Sequence, residues 1–262
     1  MSASVASAGL VPSKTSQGHG SLIGFAASAG ARALGRIRRL KRSVWASGHL
    51  HGIANRGFRP PVCWFVTLTY RRIDEWEANH ISDAIERYRQ WCRRFKVPCR
   101  YTWVGELQTR GAVHYHLLAW LPQGLRMPHW DRQPDRRRRA FWQHGMSNTE
   151  VAYSGIGYLM KYLSKLGEFH RFPKGLRLYG IGGLDDQGRA VRSWFNLPEW
   201  AKRLHGVGEL KRSKAGLVVQ DTGEVLDSPY RVDRVPGGLL LRLVGELAPR
   251  FHDGAYSRLE FA

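Results

Sequence analysis

Carboxylates are the scarce residues in this chain. Its 262 residues hold 21 Asp and Glu against 41 Lys and Arg, a formal charge of +20. That excess favours a polyanionic partner, most often nucleic acid, with a ribosomal-protein-like tail or plain solubility as the alternatives. Cysteine is rarer still. Cys63, Cys92 and Cys99 form neither a CxxC pair nor an even set, which excludes a disulfide framework and points to a reducing cytoplasm. No apolar run approaches the ~18 residues of a membrane span. Residues 22–31 (LIGFAASAGA) are rich in Gly and Ala and only Lys14 precedes them, so no export signal is read. A phosphate-cradling GxxxxGK[ST] loop is also missing, because Lys14-Thr15 follows Ser13 without the required glycine spacing.

The positive charge is unevenly spread. Residues 214–262 carry six basic and seven acidic side chains, leaving 35 and 14 for residues 1–213. Residues 1–30 are dominated by Ser, Ala and Gly, a composition that does not support a packed core. Residues 31–60 hold eight Arg or Lys and no acid, including Arg36-Ile-Arg-Arg-Leu-Lys-Arg42. This stretch reads either as a solvated arm or as one that grips phosphates. Residues 1–59 are therefore expected to be a flexible basic arm, 60–213 the main domain, and 214–262 a small β-rich segment. His49-Leu-His51 lies in the arm with no strand or carboxylate to support it, and is discounted as a metal site.

From Pro60-Pro61 onward the pattern is that of a folded domain. Val62 to Tyr70 (VCWFVTLTY) is nearly continuous in apolar and β-branched residues, as expected of a strand buried on both faces. Apolar positions 81, 84, 85, 88, 91, 92 and 95 have the spacing of an amphipathic helix from Ile81 to Lys96, which Pro98 ends. Arg100 to Leu107 and Val113 to Leu121 read as two strands joined by a turn at Thr109-Arg110-Gly111. The order is β-α-β-β. A basic loop over 122–140 carries Arg136 to Arg139, a solvated segment or a DNA-strand clamp. Met146 to Ala152 is a short strand candidate, and Gly155 to Leu166 a helix. Residues 180–200 have no clear period. Leu217 to Gln220 opens a hairpin that turns at Asp221-Thr-Gly-Glu224, and Leu239 to Val244 is an apolar run.

Two constellations carry chemistry. Side chains alternate faces along a strand, so His114 and His116 point the same way, about 7 Å apart. The hairpin brings Glu106 toward them. Two neutral imidazoles and a carboxylate can hold a divalent cation and leave positions open; Gln108 shares the strand face with Glu106 and remains an alternative. On the following helix Tyr158, Lys161, Tyr162 and Lys165 fall within an arc of roughly 100°. Ile156, Leu159, Leu163 and Leu166 form a separate face toward the core. A phenol with a pKa near 10 is a poor nucleophile unless charge on the phosphoryl group is stabilised, as a metal or Lys can do. Attack by one would form a covalent phosphotyrosine that conserves the bond for rejoining.

Phe65-Val-Thr-Leu-Thr-Tyr70, His114-Tyr-His116-Leu-Leu and Tyr158-Leu-Met-Lys-Tyr162-Leu-Ser-Lys165 resemble, in that order, the three motifs of the HUH endonuclease superfamily. The nearest-looking branch is the rolling-circle replication initiators of small plasmids and of filamentous or icosahedral single-stranded-DNA phages. The resemblance covers roughly residues 60–200, and its most specific part is the paired-tyrosine helix. It implies an α+β fold, a sheet of about five antiparallel strands with helices packed on it, similar to RNA-recognition and ferredoxin-like folds. It implies Mg²⁺ or Mn²⁺ on His114, His116 and Glu106, and alternating attack by Tyr158 and Tyr162 on single-stranded origin DNA. The first cleavage would leave a priming 3′-hydroxyl and a 5′-phosphotyrosine. Lys161 would stabilise the phosphate or phenolate, and Lys165 would contact the backbone. Helicase, polymerase and single-strand-binding protein would come from the host, in a bacterial cytoplasm.

Three rivals stand beside this reading. A transposase or relaxase would keep the fold and change the biology. A two-His-one-carboxylate iron oxygenase would use the hairpin alone and leave the charge and the Tyr/Lys helix without a role. A non-catalytic nucleic-acid-binding protein would bind salt-sensitively and be indifferent to loss of either tyrosine.

Overall fold

The computed structural model describes residues 22–25, 29–54, 62–134, 136–153, 155–164, 172–235 and 238–245. In chain order the elements are β1 (Leu22–Phe25), α1 (Ala29–Ala54), β2 (Val62–Tyr70), α2 (His80–Arg94), β3 (Arg100–Leu107), β4 (Val113–Leu121), β5 (Gly145–Val151) and α3 (Gly155–Ser164). There follow β6 (Tyr179–Gly182), α4 (Asp186–Phe195), α5 (Glu199–Lys202), β7 (Leu210–Arg212), β8 (Leu217–Val219), β9 (Val225–Leu226), β10 (Tyr230–Val235) and β11 (Gly238–Leu243). The fold is α+β. The described residues fall into two compact units. The smaller is an antiparallel sheet in the order β1-β11-β10. The larger holds everything from α1 to β9.

A five-stranded antiparallel sheet, β5-β2-β4-β3-β6, is the frame of the larger unit. All of β4 is buried, because it lies at the centre and is covered on both faces. Alternation sorts its side chains between two cores. Val113, Tyr115, Leu117, Ala119 and Leu121 join Trp64, Val66, Leu68 and Tyr70 of β2 under α2. Leu118 and Trp120 join Cys63 and Phe65 under α1 and α3. Helix α2 presents Ile81, Ala84, Ile85, Tyr88, Trp91 and Cys92 inward, as its spacing predicts. Phe95, expected on the same stripe, is instead an exposed cap residue. Lys96 turns left-handed at φ 53°, and the N–H of Val97 closes the helix end on the carbonyl of Cys92 at 3.1 Å.

Two stretches differ from expectation. Residues 29–54, read as part of a flexible basic arm, form a helix that packs Leu40 and Val44 against α3 and the sheet, and Ala46 and Leu50 against α4. A sparse apolar stripe among arginines is hard to see as a helix until the partner surface exists. His49 and His51 lie on this helix, where residues two apart point about 200° apart. His49 stacks on Trp45 and His51 packs on Trp120. The unassigned region 180–200 contains β6 and α4. A Cβ on Gly180 or Gly182 would meet the rings of Trp103 or Tyr101 at 2.3 Å, so the glycines let this edge strand lie under two aromatic rings. Glycines of that kind read as turns in a sequence. The boundary expected at 213/214 also falls inside a small sheet, β7-β8-β9, which belongs to the larger unit. No described helix is long and apolar enough to cross a membrane.

Two stability predictions follow from this packing. His51 is 1 % exposed, and burial first, then the nearby Arg100 guanidinium, push its pKa down to about 4. The unfolded chain therefore binds more protons between pH 6.5 and about 4 than the folded one. Stability is fully present above pH 6.5 and falls as the pH drops toward 4, by about 3 kcal/mol from this residue. Urea titrations from pH 7 to 4 should show that loss, and His51→Phe should flatten it. The second concerns the β2–β5 edge, where a Cβ at Gly145 would lie 1.9 Å from the Thr69 carbonyl oxygen. Gly145→Ala should cost roughly 1–3 kcal/mol in the same assay.

Candidate active site

The hairpin that carries the two histidines is closed by a tight turn. The N–H of Gln108 donates to the Ala112 carbonyl at 2.9 Å, and Gly111 adopts φ +89°. The register pairs Glu106 with His114 and Val104 with His116. Glu106 nevertheless reaches diagonally. His116 Nε2 donates to its Oε2 at 2.8 Å, with the two side chains only 4 % and 12 % exposed. A carboxylate can only accept, so the Nε2 proton leaves Nδ1 of the neutral ring to accept from Thr67 Oγ1 at 3.3 Å. His116 is thereby held at both nitrogens.

His114 points to the same face, with its ring centre 6.1 Å from that of His116. Burial lowers its pKa to about 4, and His116 and Arg110 push the same way, while Glu106 opposes them. The ring is thus neutral at physiological pH. Its Nε2 is buried and makes no hydrogen bond. Gln108, the alternative to Glu106, accepts from Arg110 Nε at 2.8 Å, while the contact with His116 belongs to Glu106.

Helix α3 lays its tyrosines over this hairpin. Leu159 and Leu163 are fully buried in the core beneath it. At roughly 1.5–3 kcal/mol for each buried leucine, they supply the anchor. Tyr162 is half-buried, and its ring stacks on His116 with centres 3.6 Å apart and planes 16° from parallel. Tyr158 is 44 % exposed and leans on Phe65 at 4.9 Å, and the two tyrosine rings are 6.5 Å apart. Lys161 is exposed on the same helix, and Lys165 lies outside the described residues.

Histidines, glutamate and tyrosines thus meet at one place. By donor chemistry the trio suits a divalent ion: two neutral imidazoles, a carboxylate, and a buried nitrogen with no hydrogen-bond partner. As placed, Glu106 and His116 form a hydrogen-bonded pair with His114 beside it. Among the described residues no three His, Cys, Asp or Glu groups converge as a coordination shell.

Two residues of the site escaped sequence reasoning. Phe65 stacks against both His116 (5.7 Å) and Tyr162 (6.0 Å) and carries Tyr158 as well. Thr67 orients His116. Both alternate within the first strand motif on one face, but only the register Thr67↔His116 brings them to the histidines. A second imidazole pair was also missed. His80 and His144 stack at 3.5 Å beside Tyr70, whose hydroxyl lies 3.2 Å from His80 Nδ1. Tyr70 faces the α2 core, so this pair stands apart from the tyrosines of α3.

Comparison with known proteins adds a separate line of observation. No curated protein and no solved structure matches this chain. One family model does, that of the replication-associated proteins of the ORF2 type. The match covers residues 63–167, which run from β2 through α3 and include Glu106, His114, His116, Tyr158, Lys161 and Tyr162. It supports a role in DNA replication for the part of the chain that holds the site.

Proposed function

We propose that this chain is a rolling-circle replication initiator of the HUH type, which nicks and rejoins single-stranded origin DNA through a 5′-phosphotyrosine. The observation that carries the reading is the stack of Tyr162 on His116, whose other edge is bonded to Glu106. It joins the nucleophile-bearing helix to the carboxylate–imidazole cluster within the stretch that matches a replication-associated family. An oxygenase reading leaves both the stack and the charge of +20 without a purpose.

In this reading a tyrosine phenol loses its proton and its oxygen bonds to the scissile phosphorus. The bond to the 3′-oxygen breaks, that oxygen takes up a proton, and the 5′-phosphate stays on the enzyme. The released 3′-hydroxyl primes synthesis. Tyr158 and Tyr162 then alternate, one holding the strand while the other cleaves the regenerated origin. Mg²⁺ or Mn²⁺, held by His114, His116 and Glu106, supplies positive charge that stabilises the phosphoryl transition state. Lys161, exposed on the tyrosine helix, adds charge at the same phosphate, and Lys165 is assigned to the DNA backbone. Phe65 sets the height of both phenols above the sheet, and Thr67 fixes the ring plane of His116. Helicase, polymerase and single-strand-binding protein are supplied by the host.

Labelled single strands tiling the DNA around the gene, incubated with Mn²⁺ and resolved on a denaturing gel, test this directly. A covalent adduct should form that EDTA, His114→Ala and the Tyr158→Phe/Tyr162→Phe double variant each abolish, while each single tyrosine variant keeps a part. Binding without any adduct, in protein shown to be folded, would leave a non-catalytic DNA-binding protein. In the same assay Thr67→Val should raise the Mn²⁺ concentration for half-maximal adduct by about 10- to 100-fold, the usual effect of removing a partner that orients a metal ligand. An unchanged metal requirement would deny Thr67 that role.

A further inference from the structure

Beside the tyrosine site is a cleft that the mechanism above does not use. It has a volume of about 820 Å³, and Arg36, Arg39, Arg192 and Arg212 line it together with Tyr179 and Asn196. The arginines come from three elements far apart in sequence, α1, α4 and β7. No carboxylate is among the described residues lining the cleft. A fifth arginine, Arg177, borders the cleft but donates to Ser82 Oγ and lies over the Trp103 ring.

Four guanidinium groups around one concavity repel each other, and a purely structural role would place acids among them. The framework that holds them is instead built from neutral groups. Asn196 Nδ2 donates to Ser43 Oγ at 2.9 Å and to the Arg192 carbonyl at 3.0 Å, tying α4 to α1. Arg212 donates to the Asn196 carbonyl at 3.3 Å. On α1 the spacing Arg36, Arg39, Leu40, Ser43 is one helical stripe, so the basic run faces the cleft in part rather than only solvent. The back of the cleft is shared with the site: Leu40, Leu178 and Tyr179 belong to the same apolar cluster as Phe65, Leu159 and Tyr162.

We infer that this cleft is a phosphate-backbone groove for single-stranded DNA, holding a segment of the strand whose neighbouring part is at the tyrosines. Arginine forks match phosphate oxygens, and Tyr179 with the leucines offers the apolar, stacking surface that single strands use. A concavity of this size admits one backbone rather than a duplex. The inference rests on the proposed function for the identity of the strand, but its test needs no cleavage.

That test is equilibrium binding of the full chain, carrying Tyr158→Phe/Tyr162→Phe so that no adduct can form, to a labelled oligothymidine across a range of salt. Adding Arg39→Ala/Arg192→Ala should weaken binding by about tenfold at low salt. It should also make the slope of log affinity against log salt shallower by about 1.4, two phosphates at about 0.7 each. Arg39→Lys/Arg192→Lys should retain most of the slope, which separates lost charge from lost fold. Arg126→Ala/Arg132→Ala removes equal charge from exposed positions on the 122–140 loop, and should change little. Equal losses from both alanine pairs would mean that only net charge matters and would overturn the groove, as would a slope unmoved by the cleft pair. If duplex competes as well as single strand, the single-strand assignment fails. Loss of the adduct in the gel assay with this salt pattern intact would refute the nickase and leave the groove standing.

Discussion

The packing of α3 on one face of the central sheet is the contact on which the candidate site depends. Leu159 and Leu163 fill the layer above Phe65 and Leu118, and Tyr162 comes down on His116 as a consequence. Without that layer the hairpin would still hold Glu106 against His116, because its pairing is local. The phenols, however, would have no defined distance from the imidazoles. A rigid element carrying the reactive groups is what a precise site requires, and a fully buried pair of leucines one turn apart provides it.

Burial sets the electrostatic character of the same region. His114 and His51 are both kept neutral by desolvation, on the same face of the sheet as α1 and α3. A neutral imidazole keeps a lone pair for a cation, whereas a protonated one would repel it. The surrounding surface is strongly basic, and the arginine cleft shows that this charge is concentrated locally as well as spread over the molecule. A buried neutral donor set next to an exposed cationic groove is a division of labour suited to a polyanionic strand. The groove attracts, and the dry cluster does the chemistry.

Much of the central sheet was legible. Continuous β-branched and aromatic runs identified β2, β3 and β4, and the seven-position stripe identified α2, because such signals arise from residues contiguous in the chain. The histidine pair was readable for the same reason, since a strand's alternation puts His114 and His116 on one face whatever else the chain does. What escaped notice depends on a partner remote in sequence. Phe65 and Thr67 matter only because β2 pairs with β4 in the observed register. The glycines of β6 look like turns until Trp103 and Tyr101 are seen above them. The helix over 29–54 seemed a solvated arm because its apolar positions are few and are buried only when α3 and α4 are in place.

The sequence by itself determined the type of fold, the hairpin, the tyrosine-bearing helix and the sign of the partner's charge. Each of these follows from local periodicity or from composition, which need no third dimension. Tertiary structure alone decided which carboxylate oxygen meets which imidazole, that Tyr162 rather than Tyr158 lies on His116, and that arginines from positions 36 to 212 line one cleft. Those outcomes depend on register and on helix docking. A one-residue slip in either would turn the same side chains to the opposite face.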